Sequence, residues 1–134
     1  MITAGLQIDP RITAIHNELG IAENYAQQCA MPLQAECSAL VAVDDDVFGR
    51  PARLETETAL AWQAMQTAAS AAGISLLLIS AFRSYDYQKQ LFERKLAKGN
   101  LLANILKVNA APGYSEHHSG RALDLGCHGF SHLE

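Results

Sequence analysis

The stretch Ser115-Glu116-His117-His118-Ser119-Gly120-Arg121-Ala122-Leu123-Asp124 carries the densest chemistry in the chain. From Gly120 onward it reads as a strand. Period-two alternation then sets Gly120, Ala122 and Asp124 on one face and Arg121, Leu123 and Leu125 on the other. Two near-absent side chains beside a carboxylate leave a hollow. His117, just before that strand, can swing its imidazole over the hollow, so that one nitrogen and one carboxylate oxygen converge at the roughly 2.0–2.2 Å that a zinc ion requires. On spacing alone, a His and an Asp are more often a hydrogen-bonded pair than metal ligands. In an extended backbone His118 points away from His117, as an outer-shell or surface residue. Glu116, next to a ligand, does not reach the water that a general base must touch within about 3 Å.

Working outward, Ala111-Pro112-Gly113 is a break that ends a short helix carrying Leu102, Ile105 and Leu106, which Asn100 can cap. Ser84 can cap a helix running to Lys98, with Asp86 in its first turn, Tyr87, Leu91 and Phe92 inward and Gly99 as its stop. Ile74 to Ile79 has the length and continuity of a buried strand. The core helix is expected from Glu55 to Ala72, with Ala61, Met65, Ala68 and Ala72 on its inward face and Trp62 and Ala69 beside them. Leu40 to Val43 reads as a strand, followed by a turn through Asp44-Asp45-Asp46 and Val47-Phe48-Gly49. Three adjacent carboxylates lack the alternate oxygen positions and later Glu of a calcium loop, so a solvated turn is expected. Short helices are expected from Pro10 to the Gly20 stop and over Ala22 to Ala30. Trp62, Tyr85 and Tyr87 read as core or rim aromatics.

A chain of 134 residues fits one domain, 1–134, with no internal boundary. Hydrophobic residues at 49% and charged residues at 18% describe a globular composition, and a formal charge of -4 disfavours a nucleic-acid partner. No apolar run approaches the about 20 residues of a membrane span, and Met1 to Pro10 shows no secretory leader, which leaves the compartment open. Three cysteines, Cys29, Cys37 and Cys127, have no C-x-x-C spacing and read as reduced, packed thiols.

Ser-x-His-x-x-Gly-x-Ala-x-Asp, filled by Ser115, His117, Gly120, Ala122 and Asp124, resembles the metal motif of the VanY-type D-alanyl-D-alanine carboxypeptidases, zinc peptidases acting on peptidoglycan stem peptides. The resemblance extends to Ser80-Ala81-Phe82-Arg83-Ser84 with Gln88, and to Asn109-Ala110-Ala111-Pro112-Gly113-Tyr114. It implies an α+β, hedgehog/DD-peptidase-like fold, with N-terminal helices packed on a small, mainly antiparallel sheet. It implies Zn2+ on His117 and Asp124, a catalytic, substrate-holding Arg83 helped by Gln88, and a hydroxyl hydrogen bond from Ser115. A guanidinium fork suits the free C-terminal carboxylate of a peptide ending in D-Ala.

The family takes its third ligand and general base from a later Glu-x-x-His-type segment. After Asp124 this sequence offers only Cys127, His128, His132 and Glu134, with His128 and His132 as weak ligand candidates. The expectation is a domain lacking its C-terminal strands, with an open sheet edge that invites self-association. A D,D-carboxypeptidase, an L,D-carboxypeptidase or endopeptidase of the same fold, and a non-catalytic metal- or peptide-binding fragment remain as readings.

Overall fold

Asp9 accepts a hydrogen bond from the Arg11 amide at 2.8 Å, Pro10 follows at the first helical position, and Gly20 ends the helix with φ +80°. These local signals delimit α1, Pro10–Leu19, as the sequence requires. In the computed structural model, which describes residues 8–127, α1 is followed by α2 (Tyr25–Gln28), β1 (Leu40–Val43), β2 (Ala52–Glu55) and α3 (Thr56–Ala71). Then come β3 (Leu76–Ser80), α4 (Tyr85–Ala97), α5 (Leu102–Val108), a single 3-10 turn (Glu116–Ser119) and β4 (Asp124–Cys127). Helices and antiparallel strand pairs together give the expected mixed α+β class.

The chain forms two units. The first comprises residues up to 36 and 84–118. Its core joins Ile12, Ile15 and Leu19 of α1 to Tyr85 and Phe92 of α4, Ile105 of α5, and Ala111 and Tyr114 of the following loop. The Ser84 hydroxyl accepts from the Tyr87 amide at 2.9 Å and so caps α4. Asn100, in contrast, does not cap α5: its side chain donates to the Lys95 carbonyl at 3.0 Å, closing the end of α4, and Leu101 takes the cap position of α5. The helix expected over Ala22 to Ala30 shortens to α2.

The second unit comprises residues 37–83 and those from 119 onward. β1 and β2 pair antiparallel from Leu40 opposite Glu55 to Val43 opposite Ala52. β3 and β4 pair from Leu76 opposite Cys127 to Ser80 opposite Asp124, and Ile79 is the extra residue that shifts the register. Its core is Ala52, Leu54, Trp62, Leu78 and Ala81.

α3 packs with a phase different from that expected. Ala61, Met65, Ala68 and Ala72 are exposed, and Trp62 is the buried residue of the helix, with Ala59 and Ala69 half-buried on the same side. β2 runs straight into α3, and the Glu55 carboxylate accepts from the Thr58 amide at 3.1 Å, so the strand fixes where the helix begins to turn. Small alanines on several faces offered no signal to set that phase, whereas burying Trp62 does.

The turn between β1 and β2 is anchored inward. Asp46, 9% exposed, accepts from the Phe48 amide at 2.8 Å and from the Arg50 guanidinium at 2.7 Å, while Arg50 also donates to the Ile79 carbonyl at 3.0 Å. The solvated acidic turn is thus corrected at Asp46, whose carboxylate is the internal partner that ties this turn to β3. Burial pushes the Asp46 carboxyl upward, but hydrogen bonds from Arg50 and Phe48 outweigh it and hold it below its ordinary value of 3.8. Asp46→Asn is expected to cost about 1–3 kcal/mol at pH 7. A lowered folded value confers stability above the ordinary value and loses it as pH falls through the folded one. Denaturant titrations should therefore show the mutant deficit at pH 7 and its disappearance in strong acid.

Candidate functional site

In the first unit, the loop after α5 is almost wholly buried: Ala111 is 0% exposed, Tyr114 4% and Ser115 5%. A buried loop must find partners for its own main chain. The Gln88 side-chain amide donates to the Ala110 carbonyl at 2.9 Å, and the Ala111 amide donates to the Tyr25 phenol at 3.2 Å. The Tyr114 amide donates to the Ala111 carbonyl at 2.9 Å. His16 Nε2 donates to the Pro112 carbonyl at 2.8 Å, and the Gln34 amide donates to the Gly113 carbonyl at 2.7 Å. The Gly113 amide donates to His118 Nε2 at 3.0 Å. From the Ala110 carbonyl to the Tyr114 amide, every main-chain polar group has a partner.

Burial depresses His16 below its ordinary value, partly offset by the Pro112 bond. Tyr25 is pushed up to about 12 by burial and by its hydrogen bond with Cys29, so it remains a phenol at any ordinary pH. Gly113 has φ +95°, and a Cβ there would stand 2.7 Å from the Ile12 side chain, so this position is closed to other residues on both counts.

That loop delivers the chain into the 3-10 turn Glu116–Ser119. The Ser115 hydroxyl accepts from the His117 amide at 3.2 Å, and the Ser115 carbonyl accepts from the His118 amide at 3.1 Å. The expected extended backbone through His117 and His118 is therefore corrected to a turn. Gly120 closes it with φ +73°, and regular pairing begins only at Asp124, so Gly120 and Ala122 do not share a strand face with it. His118 is not a surface residue: it is 0% exposed and meets the Tyr85 ring edge-on at 4.8 Å. His117 is half-buried. Gln88, expected to hold substrate, is 1% exposed and clamps Ala110, while its buried Oε1 has no hydrogen-bond partner among the described residues.

In the second unit, Ser80 ends β3 opposite Asp124, which begins β4. Arg83 Nε donates to the Ser80 hydroxyl at 3.0 Å; Ser80 is buried, Arg83 half-buried and Asp124 exposed. Arg83 and Asp124 thus share one end of the β3–β4 pair, with Ser80 as their common neighbour. Gly120 is held against the end of β2, because its carbonyl accepts from the Glu55 amide at 2.9 Å, and a Cβ on it would come within 3.1 Å of that same nitrogen.

Several residues of this arrangement were not legible beforehand. His16 lies 96 positions from its partner Pro112, and Gln34 and Tyr25 are similarly remote from the loop they hold. No local pattern links such residues. His118 was within reach of a local reading, since it lies five positions after the glycine whose amide it accepts.

Among the described residues no group of three His, Cys, Asp or Glu side chains could hold a metal ion. His118 Nε2 is committed to Gly113. Imidazole nitrogen and carboxylate oxygen are both zinc donors, so His117 in the first unit and Asp124 in the second each have the chemistry of a zinc ligand, and a catalytic zinc usually takes three protein ligands. His128 and His132 lie outside the described residues.

The family model described as VanY: D-alanyl-D-alanine carboxypeptidase matches residues 51–134. A Bacillus subtilis (strain 168) protein named "Putative carboxypeptidase YodJ" is 33% identical over 120 residues, a match covering 85% of this chain and 43% of that protein. A variant of the vancomycin-resistance D,D-pentapeptidase VanY, solved in complex with Zn(II), matches with 26% identity and a TM-score of 0.55 over 76% of this chain and 58% of the other. The LdcB LD-carboxypeptidase matches with 32% identity and a TM-score of 0.58 over 69% of this chain and 44% of the other. The chain thus spans about half the length of the relatives it matches.

Tyr25→Phe, which removes one oxygen, strands the Ala111 amide in a fully buried position and is expected to cost about 1–3 kcal/mol. Equilibrium unfolding together with faster exchange of the Ala111 amide checks this; unchanged protection would contradict the clamp.

Proposed function

The chain belongs to the VanY-type D-alanyl-D-alanine carboxypeptidase family, and from that premise we propose that it carries the zinc and carboxylate-binding residues of a peptidoglycan carboxypeptidase. The substrate class is a stem peptide ending in D-Ala. The observation that carries the reading is the common neighbourhood of Arg83 and Asp124 around Ser80, at the end of β3 and the start of β4.

Arg83 binds the free carboxylate that distinguishes a chain end from an internal peptide bond. Its Nε bond to Ser80 limits the guanidinium's freedom, so less entropy is lost when a planar carboxylate docks. Ser115 offers its hydroxyl as a donor while accepting from the His117 amide. Gln88, buried against Ala110, supports the loop that leads to Ser115. His117 and Asp124 are the residues that would hold zinc, a role that rests on their places in the motif. Bound zinc supplies Lewis acidity and a water acidified toward about pKa 7. The remaining ligand and the general base come from outside the described residues, and His128 and His132 are the candidates within this chain. Self-association through a sheet edge left unpaired among the described residues belongs to the same reading.

Similarity to LdcB favours a second specificity, for the L,D bond of a tetrapeptide. Zinc affinity of the full chain, measured against a chromogenic chelator, should fall in His117→Ala and in Asp124→Ala by at least the about 10–100-fold typical of losing an outer-shell partner. Alanine released from a D-Ala-D-Ala pentapeptide assigns the D,D reaction, and release from a tetrapeptide the L,D one. Zinc bound without release of either leaves a metal-binding module. Zinc uptake indifferent to both substitutions would falsify the metal assignment.

A further inference from the structure

We propose that His118 is a positioning residue that fixes the turn presenting His117, and that it does so by accepting the Gly113 amide at Nε2. The inference rests on the metal role proposed for His117. Gly113 has a buried main chain, a φ that other residues rarely adopt, and no room for a Cβ beside Ile12. Its amide needs an acceptor where water does not reach, and His118 Nε2 provides one at 3.0 Å. An imidazole nitrogen that accepts an amide proton has its lone pair occupied, so His118 Nε2 is not available to a metal.

One further contact immobilises the ring, and the residue that makes it is itself held in place. Tyr85 packs edge-on against it at 4.8 Å, the Tyr85 phenol donates to the Gln34 carbonyl at 2.6 Å, and the Tyr85 amide donates to the Glu36 carboxylate at 2.6 Å. Glu36 in turn pairs with Arg11 at 3.0 Å. His118 is thereby held between the loop before it and the first turn of α4. In a 3-10 turn successive side chains diverge by about 120°. Fixing His118 inward therefore fixes His117 on a different face of the same turn, which accords with its being half-buried beside a fully buried neighbour. The two adjacent histidines divide the work: one is anchored by the fold and the other is presented by it.

The test uses the full chain and two substitutions. Long-range proton–nitrogen correlation should show His118 unprotonated at Nε2, with a coupling across the hydrogen bond to the Gly113 amide; a proton on Nε2 overturns the proposal. His118→Ala should release the Gly113 amide to exchange and weaken zinc binding by about 10–100-fold. His118→Gln, whose Oε1 can accept the same amide, should restore protection and bring zinc affinity back to within about 3-fold of wild type. Wild-type zinc affinity in a folded His118→Ala overturns the proposal, as does failure of Gln to rescue. If His118→Ala does not fold, the Gln variant and the wild-type spectrum decide. A wild-type chain that takes up no zinc overturns the metal reading instead, and the lock is then judged on the Nε2 signature and Gly113 exchange alone.

Discussion

Burying an irregular loop is the constraint on which the first unit depends. A helix or strand satisfies its own main chain, but the segment from Ala110 to Tyr114 does neither and lies almost wholly out of water. Each unpaired amide or carbonyl there would cost about 1–3 kcal/mol, so several would exceed what a small unit can lose. The sequence meets the demand with side chains from distant places: His16 on α1, Tyr25 on α2 and Gln88 on α4, together with His118 on the turn and the main chain of Gln34. What looks like a cluster of polar residues in a hydrophobic core is a set of main-chain partners. Because the loop leads through Ser115 into the turn that carries His117, fixing it also fixes these two motif residues.

The second unit solves a different problem, which is to bring a cation and a carboxylate to one strand end. Arg50 reaches the Ile79 carbonyl and is held by the buried Asp46, so the end of β3 is supported from the neighbouring turn. The extra residue at Ile79 sets Ser80 opposite Asp124. Ser80 then holds Arg83. The family match over residues 51–134 spans Arg83, Gln88, Ser115, His117 and Asp124 together.

The legible features were those with local causes. Asp9, Pro10 and Gly20 delimit α1, Ser84 and Gly99 delimit α4, and four apolar residues in a row mark β1 as Leu40–Val43. The phase of α3 was not legible, because its many alanines distribute a weak apolar signal over several faces, and the orientation that buries Trp62 is set by β2. Nor was the turn at His117, since the Ser115 hydroxyl and the positive φ of Gly120 override the extended pattern that alternation suggested. Arg83, Gln88, Ser115, His117 and Asp124 are candidates by motif order alone; His16, Tyr25 and Gln34, which also clamp the loop, carry no such signal, because their partners are long-range in sequence.

Under the proposed function the adjacent histidines have separate tasks, His117 for a metal and His118 for the main chain. The most direct measurement is the nitrogen spectrum of both rings during titration of the chain with zinc. One His117 ring nitrogen should shift on zinc addition while both His118 nitrogens stay where they were. Movement of the His118 resonances, or zinc binding that leaves His117 unaffected, would contradict it.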